Sequence, residues 1–387
     1  MYSASAAFHN AVANGSPQMA LLIFSDAVFT NADINVSVGI EFNDYFNVEE
    51  DLAIGQALSN EISFNLFNDQ GLLNNYAFGD FLATIGAQTN SETVTAQGTV
   101  QASSTAHTYV AYSSSPYLKR DGTAVSSQPS APVVSILIYN GTVYCRLNNG
   151  TVKAYTDSNG NAKTVTVNSF MLAQMAKWYG EGIFYNKDNR TLKIWKGTNL
   201  RTYEFVPLGY FTAERPNVPT VNEIHFTCND FMMKFDRDMP TDASLNISAS
   251  DYTNGLMFKT LMSKMATAVG VTFDASTFTV NGNATISERL QECDGVNMRE
   301  VVQWLAEAGA SVARINRDGT LVFDWIRTNT GQSYNENSYM EFNPYWYQTR
   351  VVNKLYNRSS AGAYDTNRGD GSEAVLIQDN PFLKGVS

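Results

Sequence analysis

The run from Asn297 to Ile326, NMREVVQWLAEAGASVARINRDGTLVFDWI, narrows what this chain can fold into more than any other stretch. Asn297 is placed to accept a hydrogen bond from the free amides of a helix. Glu300 can reach back to the amide of Asn297, a reciprocal capping box. Val301, Val302, Leu305 and Ala308 recur at helical spacing and give one apolar stripe. Gly309 stands where a left-handed turn would stop the helix. Ser311 to Ile315 and Thr320 to Ile326 then read as two strands. Asn316-Arg317-Asp318-Gly319 joins them, with Gly319 free to take a positive φ. One cap is worth only about 1 kcal/mol, so the agreement of the signals carries the reading.

Three passages together resemble a known family. "REVVQWLAEAGA" followed by "ARINRDGTLVF" is one. A second is LGYFTAERP, Leu208 to Pro216, followed by NEIHFTCNDFMMKFDRDMP, Asn222 to Pro240. The third is IQDNPFL, Ile377 to Leu383. They resemble the hub module of bacteriophage tails, found in the baseplate hub of contractile tails and in the front part of tail-tip, or tail-associated lysin, proteins. Cys228-Asn229-Asp230 stands where the family more often has an Ala-Tyr-Asp-like triplet. The resemblance spans about half the chain and concerns fold rather than chemistry.

It implies an α+β, mostly β fold: two small β-barrel domains plus an α/β subdomain, with an inserted β-rich domain. Residues 1–86 with 201–250 would form a discontinuous first barrel. Residues 87–200 would be the insertion, and 251–330 the α/β subdomain. Residues 331–387 would supply return strands completing a second barrel. The implied function is structural, without catalysis: a homotrimer joining tail tube to tip in a phage or prophage. Its partners would be the distal tail protein, the tail tube and the tape-measure protein. It would be made in the bacterial host cytoplasm and end at the virion tail tip.

Composition fits a β-rich chain of more than one compact unit. Among 387 residues, Tyr 20 and Phe 22 are plentiful while charged residues make up 16%; aromatic side chains suit a pleated, half-buried surface. The net charge of −11 opposes stable binding to nucleic acid, which needs clustered Lys and Arg. The three cysteines, Cys145, Cys228 and Cys293, fit no zinc spacing and read as plain thiols. No segment approaches the ~20 apolar residues of a membrane span. The apolar stretch Met19 to Phe29 has no basic leader and is interrupted by Ser25 and Asp26.

Along the chain, Asp33 to Glu41 alternates Ile34, Val36, Val38 and Ile40, which predicts a strand. Glu61 to Phe67 alternates in the same way. Tyr203 to Thr212 and Glu223 to Cys228 are expected to join these from far downstream. The insertion opens with a Ser/Thr/Ala-rich stretch and continues as hairpins. Asn140-Gly141, Asn149-Gly150 and Asp157-Ser158-Asn159-Gly160 are the turn signals. A helix is expected over Ser169 to Tyr179, then Phe184-Tyr185 pairing with Thr191 to Trp195. Asn254 is placed to cap a helix burying Met257, Phe258, Leu261, Met262, Met265 and Val269, ended by Gly270; Val271 to Phe273 is then a short strand.

Chemistry is sparse. His9, His107 and His225 lack a nucleophile signature nearby. No His or Cys pair has metal-ligand spacing, and no cofactor motif is present. Glu49-Glu50-Asp51 and Asp236-x-Asp238 are the densest acids, and both read as turns or loops. The positive signal is aromatic: Trp178, Tyr179, Tyr185 and Trp195 crowd together with Asn186, Asp188 and Asn189. They make either a small core or a face that stacks on a sugar. Two further readings therefore stand beside the hub: a carbohydrate-binding adhesin recognising a cell-surface glycan through the insertion, and a cell-wall glycoside hydrolase.

Overall fold

The structure is a computed structural model. It describes residues 4–25, 27–44, 55–68, 71, 73–74, 77–166, 175, 177–213, 222–240, 245–248, 250–251, 255–286 and 295–325. The expected return strands, Glu49-Glu50-Asp51, Cys293, Asn254 and most of the expected helix at 169–179 lie outside these residues. The chain is mostly β and divides into two compact units, 1–43 with 61–229 and 44–60 with 230–387. No described helix is long and apolar enough to cross a membrane.

The first unit is organised by a 13-stranded sheet. Strands distant in sequence meet in it, and the expected strands 61–67 and 223–228 are among them. Asp80–Thr93 pairs antiparallel with Asn199–Thr212 along its whole length, and Glu223–Asp230 pairs with Glu61–Phe67. The alternation of Glu61–Phe67 is real, with Ile62, Phe64 and Leu66 at 0%, 1% and 0% exposure. The sheet curls sharply at this end. Strands 61–67 and 80–93 are three positions apart in strand order, about 14 Å in a flat sheet. Yet the rings of Phe64 and Phe81 lie 5.7 Å apart, edge to face. Segment 28–35 spans the gap. Its start pairs with Gln18–Phe24, Leu21 opposite Thr30, and its end bridges to Leu66 through Ile34. Phe24, Phe29, Phe81, Phe211 and Phe226 fill the interior.

Gln18–Phe24 has both faces buried. Leu22 and Phe24 enter that aromatic interior, while Leu21 and Ile23 point into a separate apolar cluster with Ile183 and Leu192. A strand covered on both sides reads as an unbroken apolar run, which is the physical origin of the Met19 to Phe29 stretch.

Beyond this end the sheet continues through Thr191–Lys196, Glu181–Asn186, Val133–Tyr139 and Thr142–Leu147 to Val152–Thr156. The hairpins form where the turn signals lie: Asn140 and Gly141 have φ of 48° and 69°, and Gly150 and Gly160 have 84° and 72°. A second, four-stranded sheet over Val100–Ala124 packs on one face of this region.

The second unit holds helices Phe258–Val269 and Met298–Ala308 and a four-stranded sheet. Ser311–Ile315 and Thr320–Trp325 form the expected hairpin, with Gly319 at φ 77°. Thr272–Phe273 and Ala57–Leu58 flank it in parallel. Leu261, Met262, Met265, Val301, Val302 and Leu305 are fully buried in one core. The Met-rich stripe is therefore core packing.

Three local expectations are corrected. Asp33 to Glu41 is not a strand: the chain turns at 31–33 and 36–38, leaving Val36 and Val38 65% and 62% exposed. The Asn35 side chain accepts from Ser37, closing a local turn that competes with a ladder; the strand begins only at Ile40. The helix of the second unit starts at Phe258, and Met257 is a 45% exposed strand residue. Gly309 is not left-handed. Its φ is −86°, and Ala310 takes the positive value of 47°. Gly309 is small for another reason: a Cβ there would meet the Phe278 ring at 2.5 Å.

Candidate functional site

Strands Val133–Tyr139 and Glu181–Asn186 run parallel, with Ile136 beside Gly182, Leu137 beside Ile183, Ile138 beside Phe184 and Tyr139 beside Tyr185. Successive side chains alternate between faces, so this register divides the residues into two sets. Ile136, Ile138 and Phe184 face the four-stranded sheet. Leu137, Tyr139, Ile183 and Tyr185 face the other way, toward strand Gln18–Phe24.

The predicted aromatic quartet is divided by the same register. Trp195 lies opposite Gly182 and is buried in the sandwich core at 4% exposure. At Gly182 the two sheets approach to backbone contact, since a Cβ there would meet the Gln101 carbonyl oxygen at 1.7 Å. Tyr185 is on the opposite face with Trp178 packed in the same cluster. Tyr179 projects outward, 62% exposed. The quartet is thus not one surface; the structure brings together Trp178 and Tyr185 alone.

These two residues line a cavity of about 300 Å³. Leu21, Ile23 and Val28 form one wall, and Leu137, Ile183 and Leu192 form the other. Tyr139 and Tyr144 join Tyr185 in the lining, and the rings of Tyr139 and Tyr185 stack with centroids 5.9 Å apart. Burial pushes the hydroxyls of Tyr139 and Tyr185 above the usual tyrosine range, so both stay protonated at neutral pH. Neither hydroxyl makes a hydrogen bond among the described residues. Thr30 supplies a polar point in the wall and is tied to buried Asp33, which accepts from the Thr30 amide at 2.9 Å and pairs with Lys177.

Two of the histidines have defined side-chain partners. His107 Nε2 accepts from Arg120 at 2.6 Å, because a guanidinium only donates. Its Nδ1 therefore carries the proton and donates to Asp121 at 2.8 Å. The amide of Thr108 first, and His107 second, hold the Asp121 carboxyl below its ordinary value. His225 lies in strand Glu223–Asp230, 2.6 Å from Asn65, and His9 lies in helix Ala6–Ala13. Asp236 pairs with Arg299 at 2.8 Å, and Asp238 bridges to Asn297. Cys145 and Cys228 are buried, and neither is in a disulfide. No group of three or more metal-ligating side chains occurs among the described residues.

The cavity was missed by sequence reasoning because its walls come from three separated stretches. The detectable signal was the alternation of Leu137 and Tyr139 in VVSILIY, whose two faces are both apolar.

No family model and no curated protein matches this chain. Among solved structures, one of BBS1N in complex with ARL6DN, soaked with lead, is similar over 49% of this chain and 61% of that one. The identity is 8% and the TM-score 0.13, too low to carry any argument about fold or function.

Proposed function

We propose that this chain is a structural component of a phage or prophage tail, a hub or tail-tip subunit that assembles as a homotrimer and joins the tail tube to the tip. The observation that carries this reading is the way the first unit is built. The sharply curved end of the 13-stranded sheet, which we read as the first barrel, is assembled from strands on both sides of a long intervening stretch, 80–93 with 199–212 and 61–67 with 223–230. That supports the discontinuous arrangement that the resemblance to tail hubs implies, with 87–200 read as its insertion. Two such barrels per subunit let three copies offer six similar surfaces, matching a sixfold tube to a threefold tip.

Val36, 65% exposed, and Ile85, 37% exposed, share a shallow depression with Met19 and Ile40. Exposed apolar surface of this kind suits contact between chains. In this reading the distal tail protein, tail tube and tape-measure protein are the neighbours, the tail tip is the location, and no residue need perform chemistry.

Light scattering coupled to size exclusion tests the proposal. A trimer that Val36→Glu dissociates is expected. A strictly monomeric chain at high concentration overturns the hub reading.

A further inference from the structure

We propose that the cavity between strand Gln18–Phe24 and the parallel pair 133–139/181–186 is a binding site for a compact fused-ring aromatic molecule bearing one hydroxyl. Its volume, about 300 Å³, sets the size. A dry apolar cavity of roughly 150 Å³ accommodates a single benzene ring, so two fused rings are the natural occupant here. The walls set the chemistry: Leu21, Ile23, Leu137 and Leu192 offer no hydrogen bonds, and the indole of Trp178 adds an aromatic surface.

The two stacked tyrosines set the polar requirement. Tyr139 and Tyr185 bring hydroxyls that have no partner among the described residues, and their raised pKa values keep both able to donate as well as accept. A single hydroxyl on the ligand satisfies them. The lining is mostly apolar, with Ser25, Thr30, Tyr144 and Thr166 as its other polar members, so a sugar would set part of its ring of hydroxyls against leucine and isoleucine, where each unpaired group is costly. The inference concerns this cavity alone and stands whether or not the chain assembles into a tail.

The test uses the full chain and 1-naphthol, with naphthalene and glucose as comparators, followed by calorimetry and by tryptophan fluorescence. The expected result is saturable one-to-one binding of 1-naphthol, weaker binding of naphthalene and none of glucose. Filling the cavity with Leu137→Phe should weaken binding at least about tenfold, equivalent to ~1.4 kcal/mol. Ile138→Val, one residue along but on the opposite face, should leave it unchanged. Tyr185→Phe should abolish the preference for naphthol over naphthalene. Urea unfolding of each variant shows that it is folded. Absence of saturable binding up to the solubility of 1-naphthol overturns the proposal, as does binding that Leu137→Phe leaves intact.

Discussion

The two faces of strand Glu181–Asn186 are built from similar residues and end in opposite states. On one, Phe184 and the neighbouring Trp195 are packed solid against the four-stranded sheet, drawn close by Gly182. On the other, Ile183 and Tyr185 border an open cavity. Apolar composition alone thus does not decide whether a face becomes core or pocket. What decides it is the distance at which the covering element is held. Gly182 lets one cover approach to backbone contact, whereas on the other face Tyr139, Tyr185 and Trp178 stand around unfilled space.

The largest expected difference comes from truncating each face. Trp195→Ala should cost about 3–5 kcal/mol in urea unfolding, the range for emptying a packed aromatic site. Tyr185→Ala, beside existing empty space, should cost clearly less; equal losses would break the comparison. Next comes Gly182→Ala, where the added methyl would collide with the Gln101 backbone carbonyl and crowd the Ala102 Cβ at 3.1 Å. It should destabilise by about 2–3 kcal/mol, read as a lowered urea midpoint at constant slope.

A sharper pair uses adjacent residues. Ile138→Phe overpacks the sandwich and should cost about 1–3 kcal/mol, while Leu137→Phe enters the cavity and should cost less than ~1 kcal/mol. The smallest contrast concerns hydroxyls. Tyr155, on the packed face, donates to the Ser127 carbonyl oxygen at 2.8 Å. Tyr155→Phe should therefore cost about 1 kcal/mol. Tyr185→Phe should fall within about 0.5 kcal/mol of the parent in the same measurement.

Where structure follows from nearest neighbours, the sequence was a good guide. Asn140-Gly141 turns with two positive φ values, and the 311–325 hairpin forms with its glycine left-handed. Gly309 shows the limit: its position after a helix suggested a backbone role, but the Phe278 ring, distant in sequence, is what demands a glycine. Val36 and Val38 show another, since their alternation matched a strand while Asn35 offered the backbone a local turn instead.

The aromatic quartet failed for a reason of register. In the hairpin 181–196, Trp195 pairs with Gly182 and Leu192 with Tyr185. Gly182 and Tyr185 stand an odd number of residues apart, so their side chains point to opposite faces. Closeness in sequence therefore did not make one surface of Trp195 and Tyr185. The parallel pairing that joins Tyr139 to Tyr185 had no local mark at all, because a crossover connection separates the two strands.

The ladder joining Asp80–Thr93 to Asn199–Thr212 is where the chain leaves for residues 94–198, the stretch expected as the insertion, and where it comes back. A tug on the insertion therefore loads both strands along their length and in the same direction. Their outer neighbours, Gln18–Phe24 on one flank and Glu223–Asp230 on the other, resist through rows of hydrogen bonds stressed together in shear. Rows loaded that way do not peel open one bond at a time, so the insertion is rooted as a mechanical anchor point.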